Sequence, residues 1–279
     1  MAKIGLKGPV YKGTSSGTLG KAIKADISIE MNDVKLYADD SIAESHKSFK
    51  QGTITLDTTD MDKTAKGLLL GHTAVGNEIT SNKDDSYPYV GFGFYGVEQI
   101  SGVVSYRAVW LPQVQFSEPA DANATKGDSF AFGSHSLPGT ILADSSGDWK
   151  KEESFALESD AIAYLNTKAG LPVSASTGIS GLSVAGAGGS LSPAFGAAVR
   201  AYTYVGLTAA SCTVTITAAS HTINLYEVVD GVDTFLQALT TAQASSAITM
   251  AIGTKIFKVV AYETGKQSQT TFITVVKTA

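Results

Sequence analysis

Two adjacent carboxylate pairs, Asp39-Asp40 and Asp84-Asp85, are the first places to look for chemistry in this 279-residue chain, and Glu44 follows close behind the first pair. Such pairs can share a proton in general acid–base catalysis or ligate calcium. Both lie in polar loop sequence, where solvated carboxylates are the ordinary outcome. Gly91-Phe-Gly93-Phe-Tyr-Gly96 matches the dinucleotide fingerprint letter for letter. That fingerprint needs its glycines in a turn between a strand and a helix. Here aromatic residues set them inside a strand, where glycines serve packing. Gly13-Thr-Ser15-Ser-Gly17 matches the nucleophile-elbow pattern but has no apolar strand before it and no helix after it. Gly20-Lys21 is followed by Ala22 rather than Ser or Thr, so it fails as a phosphate-binding loop.

His46, His72, His135 and His221 show no ligand-like spacing, and with the single cysteine Cys212 they make no zinc set. Surface or capping roles are the ordinary reading of all four. Asn123-Ala-Thr125 fits a glycosylation sequon, which a chain made and kept in the cytoplasm would not present to that machinery. The residues thus point to no catalytic site, no cofactor and no metal, and the expectation is a protein that is not an enzyme.

The elements that would position these residues read mostly as strands. Short β-branched and aromatic runs alternate with Gly, Asn, Asp and Ser clusters. Residues 25–31 put Ile27, Ile29 and Met31 on one face, Asn32-Asp33 signals a turn, and 34–37 reads as the return strand. An acidic loop spans 38–44, and a strand follows over 49–57. Ala65, Leu68 and Leu69 form one apolar helical face, with Thr59 or Asp60 as N-cap and Gly71 as C-cap. Strands are expected at 89–97 and 103–116, with shorter ones at 129–132, 140–142 and 149–157. A second helix is expected at 158–168, with Ile162 and Leu165 three apart. Residues 1–24 carry no periodicity and read as an extended arm that would order against a neighbour.

Residues 171–178 read as an uncharged linker, after which charges thin out. Seven strand signals follow within about a hundred residues, the count of an immunoglobulin-like sandwich. The expected division is therefore a first domain over 1–170, the linker 171–178, and a second domain over 179–279. Formal net charge is −5. The first 170 residues hold 16 Lys and Arg against 22 Asp and Glu, the rest 5 against 4. Neither part is basic, which argues against tight binding of nucleic acid. Cys212 sits in an apolar alternation and reads as a buried thiol, and one cysteine allows no intrachain disulfide. With neither an apolar leader at the N-terminus nor a membrane-length apolar run, the expectation is assembly in the cytoplasm.

The first part resembles the major tail tube proteins of phages with long non-contractile tails that infect Gram-positive bacteria. The resemblance rests on a series of motifs whose order and spacing count together. Ile4-Gly-Leu-Lys7, Val34-Lys-Leu-Tyr-Ala-Asp-Asp40 with Glu44, and Ile54-Thr-Leu56 come first. Leu69-Leu-Gly-His72, Tyr87-Pro-Tyr-Val-Gly-Phe-Gly-Phe94, and Tyr106-Arg-Ala-Val-Trp-Leu111 with Phe116 follow. Thr125-Lys-Gly-Asp-Ser129, Leu137-Pro-Gly-Thr-Ile141 and Gly147-Asp-Trp-Lys150 complete it. The second part resembles a cadherin-like β-sandwich module of phage and bacterial surface proteins, through Leu182-Ser-Val-Ala, Gly189-Ser-Leu-Ser-Pro-Ala-Phe195 and Val199-Arg-Ala-Tyr-Thr203.

The resemblance implies a mainly β fold, a tail-tube sandwich or barrel with a short flanking helix, followed by an Ig-like sandwich. It implies a virion protein whose copies form hexameric rings stacked into a conduit for DNA ejection. Implied partners are further copies of the chain, the tape measure protein, the tail terminator and the distal tail proteins. Genomic DNA would pass without specific binding. Within this picture Asp39, Asp40, Glu44, Asp84 and Asp85 are candidate lumen acids, and 1–24, 38–47 and 119–128 are candidate contacts between rings. The second domain would decorate the exterior, with surface carbohydrate as a possible weak ligand, and Pro193, Phe195 and Tyr202 would form its first turn, plug and core aromatic. The rival reading is a surface adhesin or carbohydrate-binding protein with two β domains.

Overall fold

The computed structural model describes residues 2–38, 41–100, 102–120 and 135–278. The expected strand at 129–132 therefore lies outside the described residues. The chain is mainly β, with 58% of it in strands and 8% in helix, two helices among the described residues. It divides into two compact units, residues 1–173 and 174–279.

The first unit is built on one long antiparallel sheet. Its strands are β1 (Ala2–Lys12), β2 (Ser16–Thr18), β3 (Ala22–Ala38), β4 (Ser41–Thr58), β7 (Val90–Ile100), β8 (Val103–Phe116), β9 (His135–Leu142) and β10 (Lys151–Phe155). They run in the order β2-β1-β7-β8-β9-β4-β3. β8 carries β7 along one edge and divides the other, pairing β10 over residues 106–110 and β9 over 113–116. A two-stranded ribbon, β5 (Thr73–Val75) with β6 (Glu78–Thr80), stands apart.

Alternation in β7 and β8 explains the layering, because both strands are buried on both faces. Val90, Phe92, Phe94, Val109 and Leu111 join a core with Ile54, Leu56, Ile141 and helix α1 (Lys63–Leu70). Tyr95, Ala108 and Trp110 face the other way, under helix α2 (Glu158–Ala169). Asp62, not the expected Thr59 or Asp60, caps α1 by accepting from the Ala65 amide at 2.6 Å, and Gly71 ends the helix at φ 76° as expected. In α2 the buried positions are Ala161, Ala163, Leu165 and Ala169, whereas Ile162 is 40% exposed. Small residues let α2 lie close to the sheet, and Ile162 does not share the inward face expected of it.

Two larger readings of the sequence are also corrected. Residues 1–24 are not a free arm: β1 pairs with β7 along its length, and Val10, Tyr11 and Leu19 are buried. Asn32-Asp33 is not a turn: β3 runs on to Ala38 and pairs with β4 as far as Ala38↔Ser41. Cross-strand pairing overrides the local turn preference of Asn and Asp, as β structure commonly does.

The second unit packs two sheets over one core. One is β11 (Gly181–Ala185), β14 (Ser211–Thr217) and β17 (Ile248–Thr249). The other holds β12 (Ser190–Ser192), β13 (Ala201–Leu207), β15 (Thr222–Val229), β16 (Val232–Leu239), β18 (Gly253–Tyr262) and β19 (Gln269–Lys277), in the order β12-β13-β19-β18-β15-β16. Nine strands stand where seven were expected, the additions being β12 and β16. Inward residues of each strand, such as Val184, Val214, Leu225, Phe257 and Ile273, fill the space between the sheets. Cys212 is buried among them as its alternation suggests. Phe195 stacks on Tyr202 at 6.2 Å, and the Tyr202 hydroxyl donates to the Gly196 carbonyl at 2.8 Å.

Candidate functional site

The β3–β4 hairpin is the feature of the first unit least satisfied by its own chain. β4 pairs with β9 only over residues 52–58, and β3 pairs with nothing but β4 among the described residues. From Met31 and Phe49 outward the hairpin is therefore, among the described residues, a bare two-stranded ribbon. Such a ribbon is marginal by itself in water, and a free edge of this length offers a row of unpaired amides and carbonyls. Its residues add apolar surface: Met31 is 47% exposed, Val34 64% and Leu36 60%. Register places Val34 opposite His46 and Leu36 opposite Glu44, so these four share one face.

At the root, an extra residue in β4 between Phe49 and Gln51 forms a bulge opposite Glu30 and Met31. The Phe49 ring stacks on Trp149 at 4.9 Å with the planes 3° apart. A second opening lies between β3, at one end of the sheet, and the part of β1 before Val10, whose outer edge β2 does not reach. Here a cavity of about 660 Å³ is lined by Ile4, Leu6, Ile23 and Ile27, with Ile4 58% and Ile23 54% exposed.

The wall of that cavity carries an ionic cluster that the sequence reading missed. Glu98 is 2% exposed. Arg107 Nε lies 2.9 Å from its Oε1, out of line for a hydrogen bond, so these two atoms rest on charge attraction. Arg107 also donates to Glu152 at 3.0 Å, and Lys150 stands 3.2 Å from the other Glu152 oxygen. The signal was present: Glu98 falls in phase with Val90, Phe92 and Phe94, and Arg107 with Val109 and Leu111. Opposite charges at inward positions of paired strands predict a buried ion pair.

His72 is the other missed group. Its ring is buried, with Nδ1 2.7 Å from Asp85 and Nε2 2.7 Å from Glu118. Burial alone would lower its pKa, but the hydrogen bonds to Asp85 and Glu118 outweigh this and hold it above the ordinary value. The Asn82 amide and His72 together lower the Asp85 pKa. Sequence spacing of 13 and 46 residues gave no hint of this contact.

Of the five candidate lumen acids, Asp39 and Asp40 lie outside the described residues. Glu44 is exposed on the hairpin, and Asp84 is exposed in the turn that follows Asn82. Asp85 is the counter-ion of His72, which corrects its reading as a solvated acid. The expected inter-ring loops divide similarly: 41–47 forms the outer part of β4, and 121–128 lies outside the described residues.

The motif glycines have packing roles. A Cβ on Gly93 would come within 2.7 Å of Trp110 and 2.8 Å of Leu165, and one on Gly91 would strike Trp110. A Cβ on Gly13 would come within 2.6 Å of Leu68. Among the described residues, no group of three or more His, Cys, Asp or Glu is arranged to hold a metal ion, and no helix is long and apolar enough to cross a membrane. No protein-family model matches the chain, and no curated protein matches it.

Proposed function

We propose that the chain is a structural subunit that polymerises through its first unit into a hollow tube, as the resemblance to phage tail tube proteins implies. Hexameric rings would stack into the tube, the tube would conduct DNA in a virion, and the second unit would stand on its exterior. The observation that carries this reading is the β3–β4 hairpin, with free edges and exposed Met31, Val34 and Leu36. An edge of that kind invites another strand, and a second copy of the chain supplies one at the concentrations of a polymer. The unclosed side between β1 and β3 adds a second apolar surface. Tape measure, terminator and distal tail proteins would meet the tube at its core and ends.

The test pairs Val34→Glu with Leu36→Lys. Both side chains are more than half exposed, so the fold should survive while rings and tubes disappear in negative-stain microscopy and sedimentation. Tubes formed as readily by the double variant would overturn the role of the hairpin. A lumen role for Glu44 and Asp84 predicts that lysine at both leaves tubes intact and slows DNA passage. A wild-type monomer that binds glycans, and never assembles at any concentration, would favour the adhesin reading.

A further inference from the structure

The geometry assigns to His72 the role of a proton-dependent clamp that fastens the end of α1 to the 81–86 loop and to the segment after β8, opening on the Glu118 side when the ring loses a proton. A neutral imidazole has one donor and one acceptor nitrogen, whereas a carboxylate only accepts. Here both ring nitrogens sit 2.7 Å from carboxylate oxygens, the separation of charge-assisted N–H···O bonds. Both nitrogens must then donate, which describes the imidazolium. The raised pKa of His72 agrees with the geometry.

The groups facing the ring come from three elements. The loop before β7 supplies Asp85 and the Tyr87 ring, edge-on at 6.4 Å. The segment after β8 supplies Glu118, and α1 supplies Lys66, 3.4 Å from the other Glu118 oxygen. Loss of the proton leaves one nitrogen lone pair aimed at a carboxylate. Asp85 keeps the Asn82 amide at 2.8 Å and its side chain is only 13% exposed. The Glu118 side chain is 44% exposed and can turn to Lys66 and water. Glu118 is therefore the arm that lets go. The site is built entirely within the first unit and does not depend on assembly.

The sign follows from linkage. A histidine whose folded pKa is raised contributes stability fully below its unfolded value, about 6.5, and loses it as pH rises through the folded value. The test is histidine and amide hydrogen exchange on the full chain, read by mass spectrometry. His72 should titrate above the ordinary value, and Glu118→Gln should bring its midpoint back toward that value. Amide protection at 115–120, corrected for the intrinsic rate, should fall roughly tenfold from acid to alkaline pH, the scale of one charge-assisted hydrogen bond. In Glu118→Gln that loss should vanish. Titration of His72 at or below the ordinary value overturns the clamp, and so does an unchanged loss in Glu118→Gln. Glu118→Gln removes only an exposed carboxylate, so the test does not depend on a His72 variant folding.

Discussion

Substituting alanine at each glycine of Gly91-Phe-Gly93-Phe-Tyr-Gly96 separates packing from nucleotide chemistry. A dinucleotide site would need all three glycines. The structure needs two. The Gly93 methyl would lie 2.7 Å from Trp110 Cε3, 2.8 Å from Leu165 Cδ2 and 3.0 Å from the Val109 carbonyl. The carbonyl belongs to the sheet ladder and cannot retreat, so the indole and α2 must shift. Overpacking of this kind costs about 1–3 kcal/mol. Gly91→Ala presses on the six-membered ring of the same indole and should cost as much. At Gly96 the nearest atom is the Gly5 carbonyl at 3.6 Å, ordinary contact, and alanine there should be neutral or better because it removes glycine's freedom in the unfolded chain. Both tryptophans, Trp110 and Trp149, belong to the first unit, so their fluorescence follows that unit alone during urea unfolding. With a urea slope of about 1–3 kcal/mol per molar, the two costly variants should lower the midpoint by on the order of 1 M. Equal losses at all three glycines, or none at Gly93, would refute the packing argument.

Arg107→Ala should destabilise the first unit by about 3–5 kcal/mol, because it leaves the Glu98 carboxylate buried and uncompensated, and the same fluorescence melt reads it. Cys212 should resist thiol reagents until the second unit unfolds, since burial raises its pKa and hides it; labelling followed against urea checks this. Tyr202→Phe should cost about 0.5–1.5 kcal/mol, the net worth of its bond to the Gly196 carbonyl, read as a shift in the far-ultraviolet melt of the second unit. Ending the chain after Val173 should leave tube formation intact in negative stain, if the second unit only decorates the exterior.

What could be read from the sequence follows periodicity. β7, β8, α1 with its Gly71 cap and the inward face around Cys212 all lie where alternation or helical spacing is unbroken. Failures came where partners distant in sequence decide the outcome. β1 is rich in Gly and Lys and becomes a strand because β7 supplies its ladder. Asn32-Asp33 stays extended because Ser48 and Lys47 stand opposite. Loop polarity describes Asp84 and fails for Asp85, whose partner sits 13 residues away at the end of α1. Spacing does not separate His72 from the other histidines, although it follows a helix that periodicity places correctly.

The stack of Phe49 on Trp149 makes the root of the β3–β4 hairpin a pivot. Eight residues of β3, Met31 to Ala38, extend past it, a reach of about 25 Å at strand rise. A bend of about 10° at the bulge would sweep the outer end through roughly 4 Å, nearly the spacing between paired strands. The half-buried ring of Trp149 thus sets the aim of a lever whose working end it never touches, and the curvature of any assembly built on that lever would be tuned from its root.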